Sequence, residues 1–583
     1  MLRCLQVKLN RFFFISLLAL LFFANGSFAS TYYSKSTGNL DSYASWGTGT
    51  DGSGLAPTSF SSGTFIIQNN LAPTIGANWT ITGATVTVGN GIAAVNFTIP
   101  STYSVTGTLN VAAGATLTIK NAGQPTLGTL DPASTVFYSG LSLSSSFLPS
   151  TPIPYGNVTF DNTTVATPSS SSKTLTFAGN FTLQNGATFT TGATSAGITL
   201  NTTGTANQTI NANTYGLTIY NFTNSKTGGT LTLASNTNIT VNNSMTMVLS
   251  GGASNQFSDG GNNLSVGNNL YLSGTAASYN FTGSLTFVAA SGTQNIGGTG
   301  TTNACIAALN NLIINTTVTG KVGINPATGG GTLTVKGNLN IPATATSATS
   351  LLLNGNTLAL GGNFTDALST DNITQATGNT ITFNGSAVQT YSTNVTAGNT
   401  INNIVINNSH GVTLSTPLNV VNSLTLTNGI VATGANAINI GVAGSVAGAS
   451  ATSYINGNLN KTMPAGGTTS IAYEVGDATF SPIQLTFPSA VSSGSITVKS
   501  TSGLHPGISS SYINTSNVVN RYWTITNSGV STATINAALS YSSTDITSGG
   551  SNSGYIIREY SGGAWTTAPS VTNSTSSASP LLP

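Results

Sequence analysis

The residues best suited to chemistry are few and scattered. Between Pro132 and Asn460 the acids are Asp161, Asp259, Asp366 and Asp371, and the bases are Lys173, Lys226, Lys321 and Lys336. Asp366 and Asp371 are the one near pair, and paired carboxylates are what glycoside hydrolysis needs. Their turn-like setting reads instead as solvated loop acids. His410, in Asn408-Ser409-His410-Gly411, and His505, ahead of Pro506, read as turn residues rather than acid–base groups. Glu474 and Asp477 flank a Val-Gly turn at a spacing that suits a weak Ca²⁺ site. Tyr522 and Trp523 could stack on sugar rings, but strand alternation sends them to opposite faces and so puts one in the core. These sets do not converge. The chain therefore reads as non-catalytic, with no catalytic, cofactor-binding or metal residues assigned, no cofactor expected, and the ligand-binding residues left open.

Charge is almost absent. Lys and Arg total 13 and Asp and Glu 11 among 583 residues. Arg3, Lys8 and Arg11 precede an apolar run from Phe12 to Phe23, and Ser27 and Ala29 occupy the −3 and −1 positions before Ser30. That order predicts a secretory signal peptide over residues 1–29. The apolar run is shorter than the ~20 residues of a membrane-spanning helix, and no later segment is long and apolar enough to span. The remainder carries about −1 net charge, and it has no basic patch for nucleic acid. Cys4 leaves with the leader. Cys305 then stands alone, without an internal disulfide partner, and reads as a buried small hydrophobe.

The elements that would position any site are strands. Thr332-Leu333-Thr334-Val335-Lys336 alternates apolar and polar residues, and the same pattern recurs at Thr85–Val88, Thr116–Ile119, Thr174–Phe177, Thr230–Leu233 and Leu424–Thr427. Gly-Asn, Asn-Gly and Gly-Gly pairs punctuate them. The expected class is all-β. Tyr155–Asn162, Tyr215–Asn221, Asn310–Asn315 and Asn402–Asn407 are copies of one unit, which also contains a Gln-Thr turn. Their first apolar residues, Val158, Leu217, Leu312 and Ile404, lie 59, 95 and 92 residues apart. A later half-unit recurs at Gly179–Leu183, Gly337–Ile341 and Gly457–Asn460. Unequal spacing fits whole coils gained or lost, so a parallel β-helix (β-solenoid) with stacked Asn is predicted. A string of separate β-sandwiches is the competing reading.

The expected organisation is an N-terminal cap and first coils over 30–130, the repetitive β-helix over 131–455 and an antiparallel β-sandwich over 456–571. Residues 572–583 read as a patternless tail or a truncation point. The cap carries Tyr32, Tyr33, Tyr43, Trp46 and Phe60. From Lys461 to Pro583 eight charged residues occur, among them Arg521 and Arg558.

Four blocks resemble large repetitive surface proteins of Bacteroidetes exported by the type IX secretion system. They are Tyr32–Leu40 continuing through Trp46–Gly52, Ser453–Thr462, Tyr473–Asp477 and, most specifically, Val519–Asn527. The resemblance implies an extracellular, adhesin-like or structural protein without a catalytic centre, whose partner is an extracellular surface, a glycan or matrix. The C-terminal sorting β-sandwich usual in that group is not visible here. Two alternatives stand beside this reading. One is a carbohydrate-active β-helix enzyme, lyase or hydrolase. The other is ice binding by Thr-x-Thr strands, against which the unequal spacing argues. Sequons such as those at Asn78, Asn96 and Asn157 follow from the Asn- and Thr-rich composition.

Overall fold

The computed structural model describes residues 30–582 except 145–146, 149–151, 167–171, 191–196, 250–255, 274–277, 289–290, 298–307, 325–329, 347–350, 374–375, 468, 490, 532–534, 548–554, 568–570 and 574–576. The leader and Cys305 lie outside the described residues. Among the described residues there is no α-helix, and no helix long and apolar enough to cross a membrane. A ladder of parallel strand pairings runs from Thr64 to Gly476, which makes the chain an all-β parallel β-solenoid. It divides into two compact units, Met1–Ala166 with Lys173–Thr188, and Thr167–Ser172 with Phe189–Pro583.

In the first unit Thr31–Ser34, Thr64–Ile67, Thr85–Val88, Thr108–Val111 and Thr126–Leu130 pair in parallel. A second parallel sheet joins Asn96–Ile99, Thr116–Ile119, Thr135–Ser139, Asn157–Asp161 and Phe181–Gln184. Alternation sends every second side chain inward. Phe97, Leu117, Val136, Val158 and Phe181 thus form one interior column, each fully or almost fully buried. Trp46, Phe60, Phe65 and Trp79 pack together near the N-terminal strand, with Trp46 and Phe65 ring centres 5.1 Å apart. The Trp46 indole Nε1 donates to the Leu40 carbonyl at 2.9 Å, which satisfies its one polar atom.

The second unit repeats the scheme over more coils. Leu217, Ile239, Leu264, Leu285 and Leu312 are register partners in one interior column, which continues through Leu339, Phe364, Tyr391 and Leu414. The 95 residues between the Leu217 and Leu312 copies are therefore four whole coils. Ile404 belongs to a neighbouring column with Leu333, Leu358 and Ile381, so equal local sequence does not mean equal place in the coil.

In the second unit the pairing changes sense late in the chain. Ile455–Met463 pairs in parallel with Val431–Ile440 on one side and antiparallel with Gly494–Ser502 on the other. Arg521–Ser528 follows antiparallel to Gly494–Ser502. A second antiparallel sheet holds Thr469–Tyr473, Ile483–Phe487, Ile535–Ser540, Ser577–Leu582 and Val571–Asn573. The stretch 572–583, read from its sequence as a tail, contributes to this sheet. Ser577–Leu582 adds a strand beside Ile535–Ser540, supported by backbone pairing that needs no apolar alternation.

Candidate functional site

A regular surface lies over coils 332–447. Threonine-rich strands place two outward columns side by side. One is Thr332, Thr357, Thr380, Asn403, Ser423 and Ser445; the other is Thr334, Ala359, Thr382, Val405, Thr425 and Ala447, of which Ala359 is itself buried. Partners within a column sit about 4.8 Å apart, and the two columns about 6.7 Å apart. No member carries charge. The expectation that unequal spacing denies a regular ladder is overturned. Successive members lie as much as 25 residues apart (Thr332 to Thr357) and as little as 20 (Asn403 to Ser423), yet stay in register. Turns absorb the difference in length.

Amides tie the coils together. Asn238, Asn311, Asn338 and Asn363 each accept, through Oδ1, the backbone N–H of Asn263, Asn338, Asn363 and Thr390 on the next coil, at 2.8–2.9 Å. A second ladder runs from Asn460 Nδ2 to Asn439 Oδ1 and from Asn439 Nδ2 to Asn419 Oδ1. The predicted stacked Asn are present. Asn162, Asn185, Asn213, Asn236 and Asn354 also take left-handed backbone conformations, which Asn tolerates in turns. The Gln-Thr motif is not a turn but a strand segment. Gln208, Gln294 and Gln389 point inward and are buried, and the Gln294 and Gln389 amides donate to backbone carbonyls of the preceding coil.

The near pair of acids is not a solvated loop site. Asp366 ends the strand Phe364–Asp366 inside the coil, with 1 % exposure. It accepts from Asn399 Nδ2 at 2.9 Å and from the Leu368 N–H at 3.0 Å. Burial pushes its carboxyl above the usual range, against those donors. Asp371 is half-buried and accepts the Thr400 N–H at 2.7 Å. Both hold a turn to later coils. Asp259 likewise accepts from Gly261, Thr282 and Gly283 N–H groups. Asp161 is bonded by Ser139, Gln184 and Asn185. His410 is exposed in its turn.

Lys226 is buried in a coil without a carboxylate. Its Nζ donates to the Ala206 carbonyl at 2.6 Å and to Gln208 Oε1 at 2.9 Å. Burial pulls its pKa down to about 8.

The paired carboxylates beyond the coils are spoken for by cations rather than assembled for Ca²⁺. Lys461 falls on the inward face of Ile455–Met463 and meets Glu474 at 2.8 Å and the Ala472 carbonyl at 2.6 Å. Arg521 uses all five of its N–H groups. Nε and Nη2 form a fork on Asp545, both at 3.0 Å; Nη1 reaches Asp477 at 2.6 Å and Ser500 at 2.8 Å; Nη2 also reaches Thr479 at 2.8 Å. Burial would raise the Asp477 carboxyl, but donors from Ser502 and Arg521 outweigh it and hold it at about 2. Glu474 and Asp477 therefore act separately, and among the described residues no group of three or more metal-ligating side chains forms.

Tyr522 and Trp523 do face opposite ways, but neither is core; both are half-buried. Trp523 Nε1 donates to the Ser481 carbonyl at 2.9 Å. Tyr522 joins His505, Tyr560 and Trp565 in a surface cluster. Sequence reasoning missed the last two. Their signal is a Gly562-Gly563 hairpin between Arg558–Ser561 and Ala564–Thr567, with Tyr560 opposite Trp565. Comparison with protein-family models, with curated proteins and with solved structures finds no match for this chain.

Proposed function

We propose that this chain is an exported, surface-located, non-catalytic β-solenoid protein. In this reading it resembles the repetitive Bacteroidetes proteins of the type IX route, and its antiparallel sheets form a β-sandwich after the coils. Its work is attachment to an extracellular surface, glycan or matrix. The observation that carries the reading is the uncharged two-column face over 332–447. Such a face offers many weak hydroxyl, amide and methyl contacts at fixed spacing, useful collectively against an extended partner. The candidate chemical residues support it too, since the acids and Arg521 are engaged in holding turns and strands. The test is fractionation of the producing cells with terminal sequencing of the mature chain, followed by attachment assays of a deletion strain. Recovery only from the cytoplasm with residues 1–29 intact would refute export, and unchanged attachment would refute the role.

The same ladder favours a second reading, ice binding, because stacked Thr with interleaved Ala and Val is the arrangement such a face requires. Ice-recrystallisation inhibition lost on Thr382→Tyr would support it. Its absence in the unaltered protein would remove it.

A further inference from the structure

We propose that the His505–Tyr522–Tyr560–Trp565 cluster binds a glycan by stacking on a sugar ring, and that Arg558 beside it selects sugars that carry a carboxylate. This goes beyond the reading of the solenoid face and can fail independently of it.

The rings form a connected cluster rather than a flat stack, with His505 edge-on to Tyr522 and Trp565 (81° and 82°) and Tyr560 tilted against both His505 and Trp565. His505 lies 4.8 Å from Tyr560, 5.0 Å from Trp565 and 5.1 Å from Tyr522, and Tyr560 lies 5.0 Å from Trp565. Unlike the buried Trp46–Phe60–Trp79 group, this one stays open: Tyr560 is 43 % exposed and the other three are half-buried. An aromatic face is electron-rich and suits the weakly positive C–H face of a pyranose. The cluster is held in place. Trp565 Nε1 donates to the Gly507 carbonyl at 2.8 Å, and the Gly507 N–H donates to His505 Nδ1 at 3.1 Å. An imidazole that accepts at Nδ1 carries its proton on Nε2, which supplies a hydrogen-bond donor at the cluster.

Arg558 supplies the selectivity. Alternation puts it on the same face of the hairpin as Tyr560 and Trp565, opposite Thr567. Its Nε is buried and lacks a hydrogen-bond partner among the described residues. Arg521, by contrast, is saturated. A guanidinium with spare donors matches a carboxylate, and its charge opposes a cationic ligand that the rings would otherwise welcome.

The test is calorimetric titration of the full chain with tetragalacturonate and with cellotetraose. Tighter binding of tetragalacturonate is expected. Tyr560→Ala should weaken both about ten-fold, the scale of one lost ring contact, while Tyr560→Phe retains them. Arg558→Gln should bring tetragalacturonate down to the level of cellotetraose. Failure of the unaltered chain to bind either sugar overturns the proposal. So does undiminished binding by Tyr560→Ala with an unchanged near-ultraviolet circular dichroism spectrum. If Tyr560→Ala misfolds, Arg558→Gln decides, and retained preference for tetragalacturonate overturns the selectivity.

Discussion

The coils and the antiparallel region after Ile455 solve the same problem in opposite ways. Inside the coils, buried polar groups are mostly neutral amides, as at Gln389, Asn356 and Asn408. Beyond Ile455 they are charges, as at Lys461–Glu474 and Arg521–Asp477–Asp545. Parallel stacking explains the difference. Each position in a coil meets the equivalent position of the next coil about 4.8 Å away. Like charges there repel, whereas an amide both donates and accepts and so stacks on itself. Antiparallel strands bring unlike positions together, so opposite charges can meet.

The contrast breaks first at Arg521. Arg521→Met strands two acids and should cost about 3–5 kcal/mol, the penalty for halving a buried pair, read as a fall in the urea midpoint with loss of the antiparallel region. Acid acts on the same place. The Asp477 carboxyl is depressed from 3.8 to about 2. Its stabilisation is complete above the unfolded value and is lost as pH falls from about 4 to about 2, a loss on the order of 2 kcal/mol. Urea titrations over that range should show the loss in the unaltered protein and not in Asp477→Asn. Lys226 sharpens the comparison from the other side, as a buried cation in the coils whose Nζ bonds neutral oxygens rather than a carboxylate. Its folded pKa, about 8, lies below the ordinary 10.5. The unfolded chain therefore holds more protons between those values, and stability rises with pH there. Thermal midpoints should climb from pH 8 to 10, and the climb should shrink in Lys226→Met. The smallest effect belongs to the amide ladder. Asn439→Ala removes bonds to Asn419 and Asn460 and should cost about 1 kcal/mol, and Asn439→Asp should cost more at neutral pH than at pH 3. Equal losses at both would show that charge does not matter in a coil.

Alternation and the Gly-Asn punctuation made the strands and the solenoid legible, because period-two patterning is local. Column membership was not, since Leu312 and Ile404 share a motif but occupy different columns. Pairing across coils decides that, 27 residues long on either side of Leu312 and 23 and 20 on either side of Ile404. Asp366 read as solvent-facing because its donor, Asn399, lies 33 residues away. The aromatic cluster escaped because Tyr522 and Trp565 are far apart in the chain and are joined only through His505.

One further consequence follows from the composition of the two outward columns. With no ionisable group among them, that surface has no titration curve, and mobile ions have nothing there to screen. Its layer of bound water should be the same in fresh water and in brine, and the same in acid and alkaline surroundings, while neighbouring charged proteins change theirs.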